Sequence, residues 1–126
     1  MPETVLLLVA GLEIKHYIAD YLLQPGWLLR GKGSLLAPGG YVHAGIHVIG
    51  SLVVLLVAGI PMPALAWILA AEFVVHYAID YVKYRFGSDV DPMAAPWKYW
   101  AVHGLDQLMH QLTYAVMIYA ALIALA

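Results

Sequence analysis

The sequence predicts an all-α membrane protein, a polytopic bundle of four transmembrane helices forming a single domain over residues 1–126. Three observations lead there. Hydrophobic residues make up 63% of the chain and charged residues only 11%, whereas a soluble globular domain carries about a quarter charged residues. Four apolar segments each come close to the ~20 residues that a bilayer core requires. Proline and glycine gather between those segments, as helix punctuation does.

The first segment runs from about Glu3 to Gln24 and stops at Pro25-Gly26. No basic region or small-residue cleavage site precedes it, so it is expected to stay in the mature chain. The second, about Gly40 to Gly59, follows the turn-rich stretch Ala37-Pro38-Gly39-Gly40. The third, about Pro63 to Phe86, begins after Pro61-Met62. The fourth starts near Trp97 and continues to the C-terminus. Its opening, Trp97-Lys98-Tyr99-Trp100, reads as an interfacial aromatic belt. Gly45, Gly50 and Gly59 leave room for close helix approach, including between copies of the chain in a homo-oligomer.

Composition excludes several function classes. A formal net charge of −2 with no basic run gives no sign of nucleic-acid binding. The absence of cysteine excludes disulfides and thiolate metal sites. Ser34, Ser51 and Ser88 sit in no triad-like setting, which leaves nucleophilic serine catalysis without support. Loop charge sets an orientation. Arg30 and Lys32 lie in the first loop, and Lys83, Arg85 and Lys98 flank the third. The positive-inside rule puts these loops in the cytoplasm and both termini on the outer side.

All six histidines fall inside the apolar segments, most of them a helical turn from another polar residue. The groups are His16 with Asp20, His43 with His47, His76 with Asp80, and His103 with Asp106, Gln107 and His110. Spacings of three, four and seven share a helix face. The first and third segments run toward the cytoplasm and carry their groups late; the second and fourth run away and carry theirs early. All four groups therefore reach one depth, about 10 Å inside the bundle at 1.5 Å per residue. A single intramembrane histidine commonly serves as an interhelical hydrogen-bond partner. Four groups converging on one depth instead read as a functional site.

Imidazole with carboxylate suits a divalent metal: Zn first, with Fe or Mn as alternatives. The candidate ligands are His16, Asp20, His43, His47, His76, Asp80, His103, Asp106 and His110. Nine exceed the needs of one ion, so two ions about 4 Å apart are expected. Glu72 is the free carboxylate placed for a general base, Gln107 a substrate hydrogen-bond partner, and Lys83 an anchor for an anionic group or a partner of Asp80. Glu13-x-x-His16 has the spacing of carboxylate-bridged di-iron bundles, but that motif is needed twice, and Glu72-x-x-x-His76 is one residue too long.

A weak internal repeat accompanies the site. His16-Tyr17 and Asp20-Tyr21 recur as His76-Tyr77 and Asp80-Tyr81, and the same offset carries His43 onto His103 and His47 onto Gln107. Two parallel helical hairpins, about 1–60 and 61–126, would follow, related by an axis along the membrane normal.

The combined pattern is His16-x-x-x-Asp20-x-x-x-Gln24, His43-x-x-x-His47, His76-x-x-x-Asp80-x-x-Lys83 and Asp106-Gln107-x-x-His110. It resembles the domain-of-unknown-function 3307 family of small bacterial membrane proteins over nearly the whole chain. It is also similar to inner-membrane metal-dependent hydrolases. The resemblance implies a multi-pass protein of the bacterial inner membrane. It also implies metal-assisted hydrolysis of a lipid or other membrane-associated substrate. The residues leave open a membrane di-iron oxidase or hydroxylase, a b-type haem protein, and a metal-binding or transport protein.

Overall fold

Helix ends fall where proline and glycine put them. The computed structural model describes residues 1–126, all helices and connections with no strand. Helix α1 spans Pro2–Tyr17 and passes directly into a π-helical turn, Ile18–Leu22, in which Leu23 N–H donates to Ile18 O at 2.9 Å. Pro25 then ends the helical path, because its ring disfavours helical geometry in the residue before it. A short helix that the sequence did not suggest, α2 at Gly26–Gly31, occupies the first connection. Helices α3 (Gly39–Val57), α4 (Met62–Phe86) and α5 (Pro96–Leu125) follow, within a residue or two of the expected boundaries.

Helices α3, α4 and α5 are long and apolar enough to cross a membrane. Helix α1 has 16 residues, and Glu13, Lys15 and His16 interrupt its apolar run, so it does not reach that length by itself. The four-span expectation thus stands at three qualifying helices plus α1 with its π turn.

The helices close a ring, with α3 against α1 and α4, and α5 against α4 and α1. Small residues set the approach. A Cβ on Gly11 would stand 2.7 Å from Val54 Cγ1, and one on Gly50 3.1 Å from Lys15 Cβ, so both glycines bring α1 and α3 together. Gly39 does the same for α2 and α3, where a Cβ would meet Leu28 O at 2.6 Å. Gly45 and Gly59, also expected to ease helix approach, meet nothing within 4 Å; Gly59 instead takes the positive φ of 76° that ends α3.

Burial is divided by level. One end of the ring is filled by Leu8, Leu12, Leu55, Leu65, Ile68, Tyr114 and Met117. At the other end most buried side chains are polar or charged, His16, His43, His47, His76, His110, Asp80 and Asp106 with Lys32 from the connection, beside Ala19, Leu28 and Ala44. Val53, Trp67, Val74, Val82, Leu105, Val116 and Ile123 face outward. A polar interior inside an apolar exterior suits a bundle solvated by lipid, where ionisable groups turn inward.

Candidate metal centre

Each helix delivers its polar pair from adjacent turns of one face. Helix α3 supplies His43 and His47, α4 supplies His76 and Asp80, and α5 supplies Asp106 and His110. The end of α1 supplies His16, and Asp20 sits inside the π turn. The extra residue of a π turn re-aims the side chains beyond it, and such turns recur at functional sites. Five imidazoles crowd together. Ring centroids lie 3.8 Å apart for His47 and His76, 4.2 Å for His76 and His110, and 4.7 Å for His43 and His47. His16 lies 5.3 Å from His47.

Carboxylates separate the rings. Asp20 Oδ1 is 3.0 Å from His43 Nε2 and 2.9 Å from His47 Nε2, while Asp20 Oδ2 is 3.2 Å from His16 Nε2. Asp80 Oδ1 is 3.2 Å from His110 Nε2, and Asp80 Oδ2 is 3.5 Å from both His43 Nε2 and His76 Nε2. Asp106 Oδ1 lies 3.5 Å from His110 Nε2. One ligand atom each from Asp20, His43, His47 and His76 falls within 4.8 Å of the others, and the same holds for His76, Asp80 and His110. Atoms bound to zinc at 2.0–2.1 Å in tetrahedral geometry stand about 3.3 Å from one another. The nitrogen–oxygen distances of 2.9–3.5 Å here are compatible with ligands around an ion and also with hydrogen bonds.

Hydrogen bonding accounts for part of the set, His47 Nε2 with Asp20 Oδ1 at 2.9 Å and His110 Nε2 with Asp80 Oδ1 at 3.2 Å, but not for the rest. His43 Nε2, His76 Nε2 and Asp106 Oδ1 are buried without a hydrogen-bond partner, and Asp80 Oδ2 meets the Lys32 ammonium 2.9 Å away. His43 Nε2 is close enough to Asp20 Oδ1 to form one, yet it is misaligned. Leaving a buried polar atom unpaired costs about 1–3 kcal/mol, and such atoms on His43 and His76, which share one candidate ligand group, fit a site built for a cation. The residues present therefore fit a divalent metal with nitrogen and oxygen ligands.

A second layer holds the first. Tyr114 OH is 2.8 Å from His16 Nδ1 and 3.4 Å from His47 Nδ1. Gln107 accepts from His16 Nε2 at 2.9 Å and donates to Asp20 and Asp106 at 3.3 and 3.1 Å. Lys32 pairs with Asp80 and Lys83 with Asp106, each at 2.9 Å. Between the centre and the apolar end, Lys15 Nζ donates to Glu72 Oε1 at 2.6 Å and lies 3.2 Å from His47 Nδ1, and Ser51 donates to the same Glu72 oxygen at 2.8 Å.

Several expected residues stand elsewhere. His103 is half-buried and belongs to neither group; its nearest polar neighbour is Lys83 Nζ, 3.3 Å from its Nδ1. Seven residues before His110, it shares the face but lies about 10 Å nearer the loop end. Glu72 is bound to Lys15 and Ser51 rather than free. Lys83 holds Asp106 and not Asp80. Glu13 is exposed, and Gln24 donates to Asp20 O, closing the π turn. Two supporting residues had a sequence signal: Ser51 is four past His47, and Tyr114 is four past His110. Lys32 had none, because its position depends on α2 folding back on α3.

A polar cavity of about 320 Å³ leads from the α4–α5 connection toward the centre, past Ser88, Tyr99 and His103 to Lys32, Asp80 and Asp106. Fold and site together define a helical membrane protein with a buried histidine–aspartate cluster. The sequence profile of the family described as protein of unknown function (DUF3307) matches residues 5–126, and the chain belongs to that family. No curated protein and no solved structure matches it.

Proposed function

We propose that this protein is a membrane-embedded metal-dependent hydrolase whose substrate is a lipid or another membrane-associated ester or phosphoester. The carrying observation is the pair of overlapping ligand groups with unpartnered buried atoms, adjoining a polar cavity. An imidazole nitrogen serves one ion, so His76 cannot complete both groups. In a three-plus-three division Asp20, His43 and His47 would hold one ion and His76, Asp80 and His110 the other. Asp106 supports the second group through His110. Divalent ions bound there, Zn in preference to Fe or Mn, supply Lewis-acid polarisation of an ester or phosphoryl oxygen and lower the pKa of a water toward neutrality.

The chain's own groups do the rest. Gln107 spans His16, Asp20 and Asp106 and fixes their orientation. Lys83 stands at the cavity wall, where a cation suits an anionic group. Glu72 remains the candidate proton acceptor, through Oε2, the oxygen that neither Lys15 nor Ser51 occupies. Likeness to inner-membrane metal-dependent hydrolases supports the reaction class by analogy only.

Competing readings find less support. Glu13 and Glu72, the carboxylates of the di-iron spacing, are exposed and ion-paired respectively. His47 and His110, 6.5 Å apart between centroids, have the spacing of axial imidazoles, but His76 lies 3.8 and 4.2 Å from them and leaves no slot for a haem plane. The apolar layer beyond Lys15 and Glu72 opposes a transport path.

We place the protein in a bacterial inner membrane with α1 as a fourth span, the cavity mouth in the cytoplasm and both termini outside. Reporter fusions at Ala126 and Ser88 should give opposite sides, and a cytoplasmic C-terminus would invert this orientation. Purified protein reconstituted in bilayers should cleave an ester- or phosphoester-bearing lipid without O₂, lose that activity to a chelator, and regain it with Zn or Mn. Turnover that requires O₂ would replace hydrolysis by oxidation.

A further inference from the structure

An apolar groove of about 450 Å³ runs between α4 and α5 on the outer surface, lined by Ile79, Val82, Phe86, Leu105 and Met109. Val82, Phe86, Leu105 and Met109 are exposed. Four residues line both this groove and the polar cavity: Lys83, Gly87, Val102 and Asp106. The two spaces therefore meet at one threshold, apolar on the lipid side and charged on the inner side. Gly87 lets α4 and α5 approach closely there, since a Cβ would stand 3.0 Å from Val102 Cγ1.

Lys83 is the cation at the threshold, paired there with Asp106 at 2.9 Å. Its side chain is 22% exposed. An ammonium has three N–H donors. Asp106 accepts one at 2.9 Å and His103 Nδ1 lies within reach of a second at 3.3 Å. The third is available to an oxygen anion.

We propose that the α4–α5 groove is a lateral port for an anionic acylated lipid, with its chain along Val82, Phe86, Leu105 and Met109 and its phosphate or carboxylate against Lys83. This rests on the lipid-hydrolase reading above and narrows its substrate to an anionic lipid that arrives from within the bilayer. A soluble anion would use the cavity mouth and leave the groove without a role. A neutral lipid would use the groove and leave the third Lys83 donor unused.

Binding tests this independently of turnover. The protein is reconstituted in nanodiscs with a trace phospholipid carrying a photoactivatable group on its acyl chain, with either a phosphatidylglycerol or a phosphatidylcholine headgroup. Labelled peptides are then mapped by mass spectrometry. The anionic probe should enrich residues 79–86 and 102–109 over the outward face at Val53 and Trp67, and the zwitterionic probe should not. Lys83→Gln should reduce that enrichment about tenfold, the loss of one charged hydrogen bond, and Lys83→Arg should retain it. Val82→Trp, which touches no ion pair, should reduce it by filling the groove. Uniform labelling, unchanged labelling in Lys83→Gln and Val82→Trp, or complete displacement by soluble glycerol phosphate would overturn the port. Because the readout needs no catalysis, enrichment without hydrolysis would keep the port and remove the hydrolase, and hydrolysis without enrichment would do the reverse.

Discussion

Asp80→Ala is expected to strip metal from the purified protein and to lower its stability in detergent by about 3–5 kcal/mol, the usual cost of breaking a buried ion pair. Two effects combine. Asp80 lies 3.2–3.5 Å from His43, His76 and His110, so its loss removes a carboxylate from the middle of the ligand set. It also pairs with Lys32, which is 3% exposed, and alanine would leave that ammonium buried and unpaired. Asp80→Asn keeps the shape and an acceptor for Lys32 while the charge goes, so metal should fall and stability should fall less than in Asp80→Ala, although the buried Lys32 ammonium still loses its counter-charge. His103→Ala, two turns nearer the loop, should leave the metal content unchanged. Elemental analysis with thermal unfolding reads all three variants, and an Asp80→Ala protein with full metal content would remove Asp80 from the centre.

Lys15→Met and Glu72→Gln should each destabilise the bundle by a similar several kcal/mol, and the double variant should be far less destabilised than their sum. The two charges lie 2.6 Å apart with side chains 7% and 0% exposed, at the level where the polar interior gives way to the apolar layer. Losing either partner leaves the other charged in a medium that solvates it poorly; losing both leaves neutral groups. A coupling energy of about 0.5–3 kcal/mol is the range for contacting residues. Thermal unfolding of the four proteins of the cycle measures it, and strict additivity would show that the pair does not act as a unit. Glu72→Gln should keep its metal, since Glu72 is outside both ligand groups. If Lys15→Met keeps turnover while the double variant recovers stability but not turnover, Glu72 is the proton acceptor.

The helices were legible because apolar runs and their proline and glycine boundaries are local properties. The ligand faces were legible because i, i+4 spacing fixes which residues share a face, and four antiparallel segments then fix depth. Relations that depend on tertiary contact were not. The π turn at Ile18–Leu22 adds a residue that no periodicity marks. Lys32 reads as a loop cation until α2 folds back through the Gly31–Gly39 contact and buries it against Asp80. Glu72 reads as a free base until Lys15, from a different helix, is placed beside it. His103 shows the limit of the repeat argument: the offset that matches it to His43 holds in sequence, while in space His43 is in the cluster and His103 lines the cavity.

The central claim is that the buried histidine–aspartate cluster holds metal. Elemental analysis of the wild-type protein, purified in detergent from metal-replete cells without chelators, tests it most directly. The expected result is about two transition-metal ions per chain, Zn in preference to Fe or Mn. A protein that is folded by its unfolding transition and carries no transition metal would contradict it.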